Sequence, residues 1–240
     1  MTSVSEAVVL MAGSGSRLRA PTSNLPKPLT PILNRPLISY TIDALAEAGI
    51  GVLNAVVGFE SLSLIAGLKP LMPPQMKLRI IENPEWKKQN GISVLAAACH
   101  VKAPFLLAMS DHLFDQAIVD LLIKSSDFNQ LNLAIDKKLD SIFDLDDAMK
   151  LQTLGDRVVA IGKHLSPYDA IDTGLFVCPA DIFDYLERAK RDGDCSLADG
   201  VRAMAVEEKV RAIDIGPSWW QDVDTPEMLA CAEKKLRERA

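Results

Sequence analysis

Two glycines and two cations stand close together in the stretch VVLMAGSGSRLRAPTSNLPKPL at 8–29. Glycine tolerates dihedrals that a Cβ forbids, so a loop carrying Gly13 and Gly15 lets backbone N–H groups close on an anion. Arg17 adds a permanent, forked charge. Lys27 lies between Pro26 and Pro28, which restrict the backbone on both sides and would hold the ammonium in a fixed place. The chemistry that suits this set is the binding of a polyphosphate. Two common cradles are excluded: no lysine stands where a P-loop needs one, and a dinucleotide fingerprint would require glycine at the position of Leu18.

The loop follows an apolar run at 7–11 that reads as a buried strand, and further strand-like runs lie at 51–57, 77–82 and 105–110. Helical periodicity at 36–49, 91–100 and 117–126 alternates with them. Repeated βα units of this kind predict a mainly parallel sheet covered by helices on both faces. Beyond residue 127 the rhythm changes. Runs at 131–136, 148–154 and 157–162 are strand-like, with a hairpin turn expected at Gly155-Asp156. Another buried strand is expected at 168–178, a helix opening with Pro179 at 179–191, and an amphipathic helix at 225–239. The sequence therefore predicts an α/β, Rossmann-like fold of mixed but mainly parallel sheet, with a small β-rich part. The expectation is one domain over 1–240, with 1–127 mainly for nucleotide and 128–240 mainly for acceptor.

The 240 residues are 48% hydrophobic and 24% charged, the balance of an ordinary globular chain. A net charge of −6 gives the surface no general attraction for nucleic acid or anionic lipid, so phosphate chemistry must rely on local cations. Cys99, Cys178, Cys195 and Cys231 form no C-x-x-C pair, which suits a reducing compartment. The first 18 residues lack a cationic region before their apolar run, and no run reaches the roughly 18 apolar residues of a membrane span. A cytoplasmic protein without membrane insertion is expected, with homo-oligomerisation left open.

The segments AGSGSRL at 12–18 and PKPL at 26–29 resemble the signature of nucleotidyltransferases that join a nucleoside triphosphate to a sugar or polyol phosphate. The resemblance continues through NGIS at 90–93, SDHLF at 110–114, GKH at 162–164, DTG at 172–174 and DVDTP at 222–226. The pieces NPEW at 83–86, NGISVLAA at 90–97 and MSDHLF at 109–114 look most like CTP:inositol-1-phosphate cytidylyltransferases. Relatives of that type are often fused to a membrane-embedded phosphotransferase; no such part is expected here, so a separate protein is expected for any downstream transfer.

That resemblance implies attack by an acceptor phosphate on the α-phosphorus of CTP, with pyrophosphate leaving in line. The acceptor would be inositol 1-phosphate. A phosphate monoester is mostly dianionic near neutrality, so no general base is needed, and positioning plus electrostatics must supply the catalysis. By family position, Lys27 and Arg17 would neutralise the triphosphate, and Lys163 the acceptor phosphate. Gly162 and His164 flank Lys163, where many relatives have an acid and a proline. Met11, Ala12, Gly13, Ser14, Gly15, Ser16, Gly91 and Ser93 would hold the nucleotide. Asp172, Thr173 and Gly174 would line the acceptor site. Asp111 and Asp224 would bind Mg²⁺, a hard cation that takes one or two protein carboxylates. Taken alone, each would be a solvated acid or a helix cap. Asp222 is a weaker candidate, and His112, beside Asp111, is expected to orient its loop rather than act as a base. Alternatives are a sugar 1-phosphate with UTP, dTTP or GTP, phosphocholine with CTP, or a non-catalytic nucleotide-binding regulator.

Overall fold

A computed structural model describes residues 4–18 and 25–239. The first three residues of the N-terminal stretch read above for a leader lie outside the described residues. Strand β1 (Glu6–Met11) is buried along its whole length. Its side chains alternate between two cores: Val8 and Leu10 face one, Ala7, Val9 and Met11 the other. A strand with both faces covered needs an unbroken apolar run rather than alternation.

Among the described residues the elements run β1, β2 (Pro31–Ile32), β3 (Arg35–Pro36), α1 (Leu37–Glu47), β4 (Val52–Val57), α2 (Ser61–Leu68), β5 (Lys77–Glu82) and α3 (Asn90–Ala96). Next come β6 (Phe105–Met109), β7 (His112–Phe114), α4 (Gln116–Ser125), β8 (Leu131–Asp136), β9 (Lys150–Leu154), β10 (Arg157–Gly162) and β11 (Ala170–Cys178). The chain continues through α5 (Ile182–Ala189), α6 (Leu197–Val206), β12 (Val210–Asp214), β13 (Trp220–Asp222) and α7 (Pro226–Arg239).

Nine strands form one sheet in the order β5-β4-β1-β6-β11-β8-β12-β10-β9. The side from β5 to β6 is parallel throughout. Past β6 the sheet becomes mixed: β11 is antiparallel to both β6 and β8, while β12 runs parallel to β8. The expected hairpin joins β9 to β10, pairing Leu154 with Arg157 around Gly155. Helices α1, α2 and α4 supply apolar side chains to one core, and α3, α5 and α6 to the other.

One helix start differs from expectation. Pro179 does not open α5, which begins at Ile182 after a short turn in which Ile182 N–H donates to Pro179 O. The turn is needed because β11 runs to Cys178, leaving the proline in the strand-to-helix connection.

Two features aim side chains at the cleft above the parallel ends. Between Asp172 and Phe176 the register of β11 on β8 shifts, and Gly174 adopts φ +76°. A bulge of this kind re-aims the side chains beside it. Separately, β7 and β13 form a two-stranded antiparallel ribbon that pairs Asp222 with His112, and Val223 N–H donates to Asp111 O at 2.8 Å. The ribbon brings residues from far apart in the chain to the tip of β6.

Candidate active site

The cleft lies at the C-terminal ends of β1 and β6, where open α/β sheets place their ligands. It encloses about 520 Å³ and is lined by residues 11–17, Lys27, Ser93, Asp111, Lys163, Asp172, Gly174 and Asp224. Lys27 sits in a single 3₁₀ turn (Lys27–Leu29) that Pro26 precedes and Pro28 stiffens. Its side chain is buried and its ammonium donates to Asp111 Oδ2 at 2.5 Å and to Asp224 Oδ1. Burial works against that charge, yet the two carboxylates outweigh it and hold the Lys27 pKa above the ordinary lysine value. Burial likewise opposes the charge on Asp111, but Lys27 and the hydrogen bond from His112 Nδ1 (2.7 Å) hold its pKa well below the carboxylate range.

Arg17 extends from the glycine loop and forks, with Nη2 to Asp224 Oδ2 at 2.6 Å and Nη1 to Asp147 Oδ2 at 2.9 Å. Asp147 also accepts from the Lys163 ammonium. The hydrogen bond from Lys163, reinforced by Arg17 and opposed by partial burial, keeps the Asp147 pKa below the usual value. The cleft is thus bridged by an alternating chain of charges: Lys163, Asp147, Arg17, Asp224, Lys27, Asp111.

His112 packs against the Trp220 ring at 5.8 Å between centroids and lies under Gly174, where a Cβ would stand 2.7 Å from the imidazole. Burial opposes its protonation, and Asp111 more than compensates, so its pKa is raised. Trp220 is fixed in turn by its Nε1–H donated to Asp136 at 2.9 Å. The imidazole therefore braces Asp111. Asp222 is separated from Asp224 by the end of β13: burial raises its pKa, with His112 opposing, and no hydrogen bond joins it to Lys27.

Two residues of the expected site stand outside the cleft. Thr173 is fully buried and its hydroxyl donates to Ala134 O at 2.8 Å, because side-chain alternation along β11 turns it into the core when Asp172 faces the cleft. Gly91 is a packing residue: a Cβ there would meet Cys195 O at 2.6 Å. Ser93, two residues on, lines the cleft and accepts from Asn83 Nδ2 at 3.0 Å. Asp147 is the residue that sequence reasoning misses. It lies in the acidic run 144–147, and nothing local separates it from its neighbours.

The glycine loop yields a paired expectation. Gly15 has φ +59°, and a Cβ there would lie 2.4 Å from the Lys27 Cβ, whereas a Cβ on Gly13 meets nothing within 4 Å. Gly15→Ala should lower stability by at least the ~1–2 kcal/mol of left-handed strain and displace Lys27. Gly13→Ala should leave the melting temperature near wild type, since the methyl meets only open space, and should raise the KM for triphosphate if the loop binds it as the sequence leads one to expect. Thermal melts beside steady-state kinetics check both.

No group of three or more His, Cys, Asp or Glu side chains is arranged to hold a metal among the described residues. Asp111 and Asp224 nevertheless direct one oxygen each at a single cation, the Lys27 ammonium. Such a pair fits a hard divalent ion that fills its other positions with phosphate oxygens and water. No helix among the described residues is long and apolar enough to cross a membrane.

Residues 7–193 match the MobA-like NTP transferase domain. The "Bifunctional IPC transferase and DIPP synthase" of Rubrobacter xylanophilus is 34% identical over 96% of this chain and 51% of its own length. The protein of the same name from Aquifex aeolicus is 29% identical over 97% of this chain and 52% of its own. The chain thus spans about half the length of these relatives. Among solved structures, the inositol-1-phosphate CTP transferase from T. maritima superposes with a TM-score of 0.85 at 27% identity, covering 97% of this chain and 95% of that one. A UDP-glucose pyrophosphorylase complexed with UDP-glucose shares the fold, with a TM-score of 0.84 at 17% identity over 99% of this chain and all of that one.

Proposed function

This chain belongs to the MobA-like NTP transferase domain family and is a nucleotidyltransferase, and from that premise we propose that it joins CTP to inositol 1-phosphate, releasing pyrophosphate and forming CDP-inositol. The observation that carries the reading is the buried Lys27 ammonium held between Asp111 and Asp224 beside the glycine loop. The choice of substrates is supported by the names of the relatives matched over nearly the whole chain and by the likeness to the T. maritima transferase.

In this reading the backbone of residues 11–16 and the side chain of Ser93 hold the nucleotide, and Arg17 takes the phosphates that leave. Lys27 neutralises charge near the α-phosphorus. Lys163 takes the acceptor phosphate, and the Asp172 carboxylate accepts hydrogen bonds from acceptor hydroxyls, with Gly174 leaving room beside it. Because the nucleophile is already an anion, the residues need only align it, screen the repulsion between polyanions and stabilise the leaving group. Asp111 and Asp224 would hold Mg²⁺, which when bound supplies charge neutralisation and alignment of phosphate oxygens.

Pyrophosphate release from purified protein tests the reading. CTP with inositol 1-phosphate and Mg²⁺ should give product, and release only with a hexose 1-phosphate and UTP, dTTP or GTP, or only with phosphocholine and CTP, would overturn the substrate choice.

A pH effect follows from Asp172, whose carboxyl is pushed up to about 6 by burial, against the hydrogen bond from Gly174 N–H (2.7 Å) and the nearby His112. Below that value the group is protonated and offers a weaker acceptor; above it the carboxylate is charged. The KM for acceptor should therefore fall as pH rises through about 6. Titration of the substrate phosphate contributes in the same range, so the comparison is with Asp172→Asn, in which the part due to the carboxylate disappears.

A further inference from the structure

Two loops meet over the acceptor side of the cleft, and their contact is built around residues assigned no role so far. Lys150, the first residue of β9, is buried, and its ammonium donates to the backbone carbonyls of Asp146 at 3.1 Å, Ala148 at 3.3 Å and Lys163 at 3.0 Å. Three N–H groups thus meet three acceptors, which is what a buried ammonium requires. Two of those carbonyls belong to the loop between β8 and β9, and the third to the connection that leaves β10. Within the first loop, Asp147 N–H and Ala148 N–H both bond to Asp144, at 3.3 and 3.1 Å. Lys150 therefore fastens the backbone around Asp147 to the backbone of Lys163.

Asp147 completes the arrangement by receiving Arg17 from one side and Lys163 from the other. The two cations are 56% and 47% exposed, and exposed side chains of that length have many rotamers to lose when a ligand orders them. From this geometry we infer that Asp147 is a positioning residue, fixing Arg17 and Lys163 at one separation across the cleft, and that Lys150 holds it in place. The inference rests on the reading that these cations take phosphates.

A carboxylate on two phosphate-binding cations could act in the opposite sense, as a competitor. The donor count favours positioning: Lys163 has three N–H groups and Arg17 five, so each can take a phosphate oxygen without releasing Asp147. Ordering in advance is worth roughly two- to tenfold in affinity per side chain.

Calorimetric titration of the whole protein with inorganic phosphate and with pyrophosphate reads the cations without turnover. Asp147→Asn should weaken both ligands by about fivefold at a near-native melting temperature. In a cycle with Lys163→Ala its cost in phosphate affinity should be less than additive, because only its hold on Arg17 remains to be lost. Lys150→Met should weaken phosphate more than pyrophosphate, with partial recovery in Lys150→Arg, which keeps donors. Under turnover, Asp147→Asn should raise the acceptor KM through Lys163 and lower kcat severalfold through Arg17, which takes the leaving phosphates. Tighter phosphate binding in Asp147→Asn, additive effects of Asp147→Asn and Lys163→Ala, or unchanged phosphate affinity in both Asp147→Asn and Lys150→Met overturns the inference. A wild-type protein that binds both anions as described but turns over no CTP and inositol 1-phosphate sinks the substrate reading alone.

Discussion

Replacing Lys27 with methionine is expected to lower kcat/KM by about 10²–10³, the scale of a lost electrostatic donor at a developing charge. Methionine fills similar space, so the loss isolates the ammonium. The variant should also be less stable. Lys27 is buried, and without it Asp111 and Asp224 would face each other across the gap with no charge between them. Breaking a fully buried pair costs about 3–5 kcal/mol; here the cost should be smaller, because the carboxylates keep 26% and 19% of their exposure.

The pH dependence has a definite sign. Asp111 has a lowered pKa in the fold, so its contribution to stability is present above its unfolded value of 3.8 and is lost only as pH falls through the lower folded one. Lys27 has a raised pKa, so its contribution is present below 10.5 and is lost as pH rises through the higher folded one. The stability gap between wild type and Lys27→Met should therefore be flat across neutral pH, narrow as pH falls into the carboxylate range, where Asp111 of the variant has lost the cation that lowers its pKa, and close again in strong base. Divalent cation should raise the melting temperature of the variant more than that of wild type, because the carboxylates no longer have an internal cation. Equal shifts in the two proteins would remove Asp111 and Asp224 as a shared cation site.

Asp224→Asn should fall by a similar factor, with a different signature. Asp224 is the only carboxylate among the described residues that receives both Lys27 and Arg17. Its neutralisation leaves both cations oriented by fewer bonds and removes one of the two proposed Mg²⁺ ligands. The concentration of Mg²⁺ needed for half-maximal rate should rise along with the loss in kcat. Asp222→Asn provides the contrast. It makes no bond to Lys27, whose ammonium goes to Asp111 and Asp224, so removing its charge should change kcat little. If the two variants lose activity equally, the assignment of Asp224 as the ligand fails.

Much of this site is legible in the sequence because its cations and glycines follow strands that announce themselves. Strands β5, β8 and β10 end where their apolar runs end, since turn-forming or charged residues bound them. The βα rhythm predicts the parallel side of the sheet, and β1 then delivers the loop at 11–17 to the cleft. What sequence reasoning misses depends on distant contacts. Helix α6 contains Asp199-Gly200, which reads locally as a turn, although Ser196 and Asp199 form a reciprocal capping box that marks its start. Helix α2 has the alternation of a strand and begins after Glu60 in the left-handed region. The β7–β13 ribbon is three residues long on each side and exists only through pairing across the fold. Asp147 is hidden for the same reason, since its partners are brought by the glycine loop and by the turn after β10.

The ribbon has a consequence for biosynthesis. Every strand of the nine-stranded sheet has been made once the ribosome passes Asp214, whereas Asp224 arrives later and can join Asp111 only after β13 has docked on β7. A chain that has completed this sheet therefore still lacks one of the two carboxylates of the proposed cation site. The proposed site closes with the last strand to be laid down, when β13 pairs with β7.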